Sequence, residues 1–356
     1  MPERNAPACL IAAGGTAGHV LPALAVAEAL HARGAQVTFA GSPGRAEARL
    51  VPDAGYELDT FRVSGLPRRP GLAQARAALH DLAAPAACDR ILARRQPDIV
   101  LGGGSYVGGP MVLAAARRRI PTALMEADAH LGLANRLAAP FARRVFLAFP
   151  IPGRDGDKYR VTGRPIPARS LPLPREEARR RLELPAEGPL LLVSGGSLGA
   201  RALNDLAVES FGAAGPAVLH LCGEAELDRL GARVSRPDYR LIGFLDDYGA
   251  ALGAADLVLA RAGGGVWELA AAGKPAILVP YPLATADHQT KNARYFQAAG
   301  GAILVPETEL GRVPELVRSL LDDPRRLGEM GAAMLGAARP EAADEIAEEL
   351  IALARG

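Results

Sequence analysis

Short apolar runs alternate with longer Ala- and Leu-rich stretches along the whole chain. In the first half, residues 9–13, 37–40, 98–101, 122–125 and 145–149 are predicted strands. In the second half the predicted strands are 190–193, 218–221, 239–242, 257–259, 276–279 and 302–305. Between the first two runs, Val20, Leu24, Ala27 and Leu30 recur at helical spacing, predicting a helix over 19–31. Pro22 falls in its first turn, where the ring is tolerated, and Gly34 is a natural stop. Strands that alternate with helices in this way predict parallel α/β sheets.

The pattern is written twice. The run 10–13 meets Gly14-Gly15-Thr16-Ala17-Gly18-His19, and the run 190–193 meets Ser194-Gly195-Gly196-Ser197-Leu198-Gly199-Ala200. Pro97-Asp98-Ile99-Val100-Leu101 is echoed by Ala255-Asp256-Leu257-Val258-Leu259, and Pro121-Thr122-Ala123-Leu124 by Pro275-Ala276-Ile277-Leu278. The order of the echoes is kept, which predicts two Rossmann-like domains with a cleft between them. The boundary is expected within 162–167, ahead of Leu171-Pro172-Leu173-Pro174. The expected domains are 1–163 and 164–340, with a final helical stretch, 341–356, that returns to the first.

Composition narrows the class. With 356 residues and 49% apolar content the chain can fill two cores. A net charge of +2 gives no global field for nucleic acid. All but three of the 41 basic residues are arginine, a bias that carries no function by itself. Cys9, Cys88 and Cys222 form no CxxC pair, which argues against a zinc site or disulfide framework and fits a reducing compartment. The N-terminus lacks a signal-peptide pattern, and no charge-free stretch of about 20 apolar residues predicts a membrane span.

The glycine turns carry the first candidate chemistry. Glycine permits positive φ and close approach to a ligand, and a helix start behind it offers N–H groups to an anion. A dinucleotide site would need G-x-G-x-x-G and a carboxylate after the second strand. Here that strand ends Phe39-Ala40-Gly41-Ser42, and neither turn continues as a Walker loop. His19 ends the first turn where Ala200 ends the second, so the two copies differ in one titratable group. A helix start disfavours imidazolium, which suits a neutral base. The stretch 102–110, holding Tyr106, is glycine-dense enough to let a bulky ligand lie against backbone, and equally suits a close-packed turn with a surface tyrosine. Glu126 and Asp128 follow one strand and Glu268 another, where ligands of open α/β sheets bind. Helix capping and first-turn dipole effects would equally place carboxylates there. Asp287-His288-Gln289 is a polar helix start suited to sugar hydroxyls. Arg68-Arg69, Arg117-Arg118-Arg119 and Arg143-Arg144 lie in the first half, with Leu66, Leu72, Leu79 and Leu82 near the first of them. A basic rim around an apolar patch suits an anionic membrane surface.

Taken in order, residues 14–19, 102–110, Glu126, 132–135, 163–165, 195–201, 244–247, 268–273 and His288-Gln289 resemble the motifs of the MurG family. The resemblance spans nearly the whole chain. It implies the GT-B fold and an inverting transfer of GlcNAc from UDP-GlcNAc to the 4-hydroxyl of undecaprenyl-diphosphate-MurNAc-pentapeptide, in peptidoglycan synthesis. His19 would be the base. Gly15, Thr16, Gly18, Tyr106, Glu126 and Asn135 would line the acceptor side. Arg164, Ser197, Leu245, Gly263, Gly264, Glu268, Gln289 and Asn292 would hold the donor, with Glu268 on the ribose and Gln289 on the sugar hydroxyls. The resemblance calls for no metal and no cofactor. It implies peripheral attachment at the cytoplasmic face of the membrane, other wall enzymes as partners, and no nucleic acid. The chain departs from the family at Met125, Ala127 and Asp128, at Leu198 in place of a polar residue, and in a shorter 261–268 loop. Rival readings are another glycolipid glycosyltransferase, a UDP-GlcNAc epimerase, and a non-catalytic UDP-sugar-binding scaffold.

Overall fold

A computed structural model describes residues 6–63, 72–196 and 198–356. The chain divides into two compact units, one running to Pro167 and including Pro340–Gly356, the other Ala168–Arg339.

In the first unit seven parallel strands form one sheet. They are β1 (Ala8–Ala12), β2 (Gln36–Gly41), β3 (Leu58–Thr60), β4 (Ile99–Gly102), β5 (Thr122–Glu126), β6 (Arg144–Leu147) and β7 (Tyr159–Val161), in the order β3-β2-β1-β4-β5-β6-β7. β1 is wholly buried, and its register sets Leu10 beside Thr38 on one side and Val100 on the other. Strands covered on both faces need continuous apolar runs, which is why β1, β4 and β5 stand out in the sequence. The helix Ala17–Ala32 buries Val20, Leu24, Ala27 and Leu30 against the sheet. The helix Ala342–Arg355 adds Ile346, Ala347 and Leu350 to the same core. Arg33 joins the two helices by ion pairs to Asp344 (2.7 Å) and Glu348 (2.9 Å).

The second unit is built alike from β8 (Leu190–Ser194), β9 (Ala217–Leu221), β10 (Tyr239–Ile242), β11 (Leu257–Ala260), β12 (Ala276–Leu278) and β13 (Ala302–Leu304), all parallel in the order β10-β9-β8-β11-β12-β13. The sequence echoes fall on equivalent strands, β1 with β8, β4 with β11 and β5 with β12. One echoed residue has the same task in both units. The Asp98 carboxylate accepts from the Ala8 N–H at 2.7 Å, and the Asp256 carboxylate from the Leu190 N–H at 2.8 Å. Each aspartate pins the start of the central strand to the start of its neighbour.

Two strands, β3 and β7, are not predicted from the hydrophobic pattern. Both are three-residue edge strands with a polar centre, Asp59 and Arg160. Asp59 sits 8% exposed only because Arg94 and Arg95 pair with it, a compensation made by a distant helix.

Candidate active-site residues of the two units

In each sheet the strand order reverses between the first and fourth strands, where open α/β sheets bind ligands at their carboxyl ends. The loops after β1 and β4 flank that point in the first unit. Gly15 has φ +92°, and its N–H is held at 2.9 Å by the buried Glu47 carboxylate. Thr16 follows in extended conformation, exposed, at the N-cap of helix Ala17–Ala32, and its hydroxyl does not cap the helix. His19 lies in the first helical turn. Gly104 has φ +85°, and a Cβ there would lie 2.9 Å from His19 Nδ1, so both its conformation and its neighbour require glycine. A Cβ on Gly15 would lie 3.3 Å from the Tyr106 ring. Gly15, His19, Gly104 and Tyr106 are thus brought into one constellation.

Glu126 ends β5 and is buried. It accepts from the Gly132 N–H (2.8 Å), from Asn135 Nδ2 (2.9 Å) and from the Asp128 N–H (3.3 Å). Burial pushes its carboxyl above the ordinary range, while the Gly132 and Asn135 bonds pull the other way. Asn135 Nδ2 also donates to the Met125 carbonyl at 3.0 Å, and its buried Oδ1 has no partner among the described residues. The expected boundary puts Arg164 in the second domain. The residue belongs to the first unit, where its guanidinium donates to the Gly18 carbonyl at 2.7 Å, on the first glycine turn.

In the second unit the turn after β8 has Gly196 at φ +89° and Gly199 at φ +75°. A Cβ on Gly199 would overlap the Cys222 carbonyl, 1.8 Å away. Asn204 Nδ2 donates to that carbonyl at 2.8 Å, and Asn204 Oδ1 lies 3.0 Å from His220 Nε2. Nε2 therefore carries the proton, and Nδ1 accepts from the Tyr239 hydroxyl at 2.8 Å. His220 is fully buried, and burial lowers its pKa to about 4. This network braces the second turn from below. Leu198 stands 88% exposed at the turn itself.

Asn292, on helix His288–Ala298, is fully buried and donates to the Ala262 carbonyl at 3.1 Å, supporting the loop after β11 that carries Gly263 and Gly264. Gln289 Oε1 accepts from the Tyr281 N–H at 2.9 Å, and its Nε2 lies 3.9 Å from where a Gly263 Cβ would stand. Glu268 is half-buried in the first turn of helix Val266–Ala271. Burial first, and the Glu268 charge second, raise the Tyr248 hydroxyl above its ordinary range, while its bond to Ser194 pulls the other way. Leu245 is half-buried, and Asp247 two residues on caps helix Tyr248–Ala254 through the Ala250 N–H at 3.0 Å.

Ser197, Leu66, Arg68 and Arg69 lie outside the described residues, as do the side chains of Leu72, Leu79 and Leu82. Of the other basic clusters, Arg117 and Arg118 pair with Asp89, and Arg144 pairs with Glu349. Sequence reasoning missed Glu47, Asn204, His220 and Tyr239. Their partners are backbone atoms and residues distant in the chain; only a polar residue inside an apolar strand, His220 in β9, gave a local signal.

The glycosyltransferase family 28 N-terminal domain matches residues 9–147, and the family 28 C-terminal domain matches residues 190–346. A protein of Halorhodospira halophila is 43% identical over 95% of this chain and 96% of its own length. One from Acidithiobacillus ferrooxidans is 42% identical over 99% of both. Both are named UDP-N-acetylglucosamine--N-acetylmuramyl-(pentapeptide) pyrophosphoryl-undecaprenol N-acetylglucosamine transferase. The crystal structure of Acinetobacter baumannii MurG superposes with a TM-score of 0.76 at 29% identity, covering 97% of this chain and 99% of that one. A UDP-GlcNAc 2-epimerase from Neisseria meningitidis, 14% identical with a TM-score of 0.66 over 97% of this chain and all of its own, shares the fold. Two Rossmann-like units of GT-B type, both family 28 domains and near-full-length identity place the chain in glycosyltransferase family 28, as a member of the MurG family.

Proposed function

We propose that this protein transfers GlcNAc from UDP-GlcNAc to the 4-hydroxyl of undecaprenyl-diphosphate-MurNAc-pentapeptide, inverting the anomeric carbon. The observation that carries the reading is a single asymmetry. The histidine of the first glycine turn is replaced by Ala200 in the second, in a chain whose relatives are named for this transfer. In this reading Nε2 of His19, the ring nitrogen further from Gly104, takes the proton of the attacking hydroxyl. The hydroxyl oxygen bonds to the anomeric carbon as the bond to the UDP oxygen breaks. Thr16, Gly15, Gly18 and Tyr106 hold the acceptor, and Asn135 Oδ1 accepts from it beside Glu126. On the second unit, the turn carrying Ser197 and the loop with Gly263 and Gly264 meet the diphosphate charge that develops on the leaving group. Glu268 accepts from the ribose hydroxyls, Gln289 meets the sugar, and Leu245 contacts the base by its backbone. Asn292 acts by bracing the 262–265 loop, and Arg164 by holding the first glycine turn through Gly18.

Membrane attachment belongs to the same reading, because the acceptor is a lipid at the cytoplasmic face. No helix among the described residues is long and apolar enough to cross a membrane. Leu133, Leu137 and Phe141 are exposed at i, i+4 and i+8, with Arg136 and Arg143 exposed beside them and Lys158 bonded to the Pro140 carbonyl. Apolar anchors ringed by cations suit an anionic surface.

Release of UDP from UDP-GlcNAc, with and without a short-chain lipid-linked muramyl-pentapeptide, tests the reading. Acceptor-dependent release is expected in the wild type, falling by about 10²–10⁴-fold in His19→Ala. Binding of UDP-GlcNAc with no acceptor-dependent release overturns it.

A further inference from the structure

We propose that Glu47 is a positioning residue for the acceptor: its buried carboxylate sets the backbone of residues 14–16 so that Thr16 and His19 meet the lipid-linked sugar. The proposal rests on the reading of the first glycine turn as the acceptor side. Glu47 is fully buried, in the first turn of helix Ala46–Asp53, where the peptide dipoles favour an anion. Its two oxygens have separate tasks. Oε1 accepts from the Ser42 N–H at 2.8 Å, just past β2, and Oε2 accepts from the Gly15 N–H at 2.9 Å, just past β1. The carboxylate clamps the loop after one strand to the loop after its neighbour.

The surroundings are shaped around this side chain. A Cβ on Gly14 would lie 2.1 Å from Glu47 Oε1, and one on Gly41 would lie 2.6 Å from Glu47 Cγ. Because Gly15 donates inward to Glu47, its peptide is oriented from beneath the turn rather than by a ligand. The Tyr106 ring lies against the same glycine, so the turn is fixed from two directions. Thr16 is the next residue, exposed and extended, and His19 follows one helical turn later. A negative charge beneath a turn that receives a diphosphate opposes it electrostatically. The position of Glu47 is therefore accounted for by its two N–H bonds, which need an acceptor oxygen at both ends. A glutamine supplies one oxygen and sets an NH2 group against the other N–H.

The test compares wild type, Glu47→Gln, Glu47→Asp and Gly41→Ala in the UDP-release assay, varying acceptor and donor separately. Hydrogen exchange is followed at the amides of residues 14–16. Glu47→Gln is expected to raise the acceptor KM by about tenfold or more, the scale of one lost charge-assisted bond, with the donor KM within about twofold. Faster exchange at Gly15 should accompany it. Glu47→Asp, which keeps both oxygens, should recover part of the loss. Gly41→Ala displaces the side chain without changing its charge and should reproduce the acceptor effect, which keeps the test open if Glu47→Gln does not fold. Faster exchange with an unchanged acceptor KM would show a structural prop only and overturn the proposal. Equal rises in both KM values would overturn it as well. A wild type without acceptor-dependent release overturns the reading of the turn, and the proposal falls with it.

Discussion

At the residue scale, the chain buries polar side chains beneath its glycine turns and satisfies them with backbone and with one another. Glu47 does so under the first turn and Asn204 with His220 under the second. His220 makes this a pH-dependent arrangement. Its pKa, lowered from 6.5 to about 4 by burial, means the unfolded chain binds the proton first. Stability contributed by the neutral ring is therefore complete above about pH 6.5 and is lost as pH falls towards about 4. The loss is on the order of 3 kcal/mol by the usual conversion of pKa differences. Trp267, the chain's one tryptophan, is buried in the same unit, so its fluorescence reports the effect in urea unfolding. The wild-type midpoint should drop between pH 7 and pH 4.5. His220→Gln should start lower and show a shallower drop; an unchanged slope would exclude His220 as its source.

At the element scale, the last helix belongs to the first sheet's core. Leu350 is fully buried against helix Ala17–Ala32, which carries His19. Leu350→Ala leaves a cavity and should cost roughly 2–5 kcal/mol. It should also speed hydrogen exchange in the 17–32 helix. Arg33→Ala breaks two ion pairs with exposed carboxylates and should cost less than about 1 kcal/mol. A larger loss for Arg33→Ala than for Leu350→Ala would reverse this ranking of burial over surface charge. The element pattern was legible where strands are buried on both faces. It was silent at β3 and β7, where three residues with a polar centre carry no periodicity.

At the scale of the whole molecule, the repeated strand order is the organising fact, and each unit presents its own loops at its own switch point. The attachment to a membrane proposed above is assigned to the exposed surface of the first unit, and it makes a prediction at this scale. Binding to anionic vesicles should weaken as salt screens Arg136, Arg143 and Lys158. It should fall further in Leu137→Asp with Phe141→Asp, two exposed positions whose change leaves the core untouched. Vesicle sedimentation reads both. Salt-independent binding that survives the double substitution would remove this surface from the proposal.

The sequence by itself determined the duplication, the parallel sheets, the two glycine turns and the histidine that distinguishes them. Each of these is local: a run of apolar residues, a positive-φ turn, one residue at a helix start. The tertiary structure decided what supports those turns. Glu47 and Gly15, Asn204 and Cys222, Arg164 and Gly18, and Asn292 and Ala262 are joined by bonds between a side chain and backbone distant in the chain. Backbone atoms are the same at every residue, so such a bond leaves no signature at the residue that receives it. It exists only once the strands have brought the two segments together.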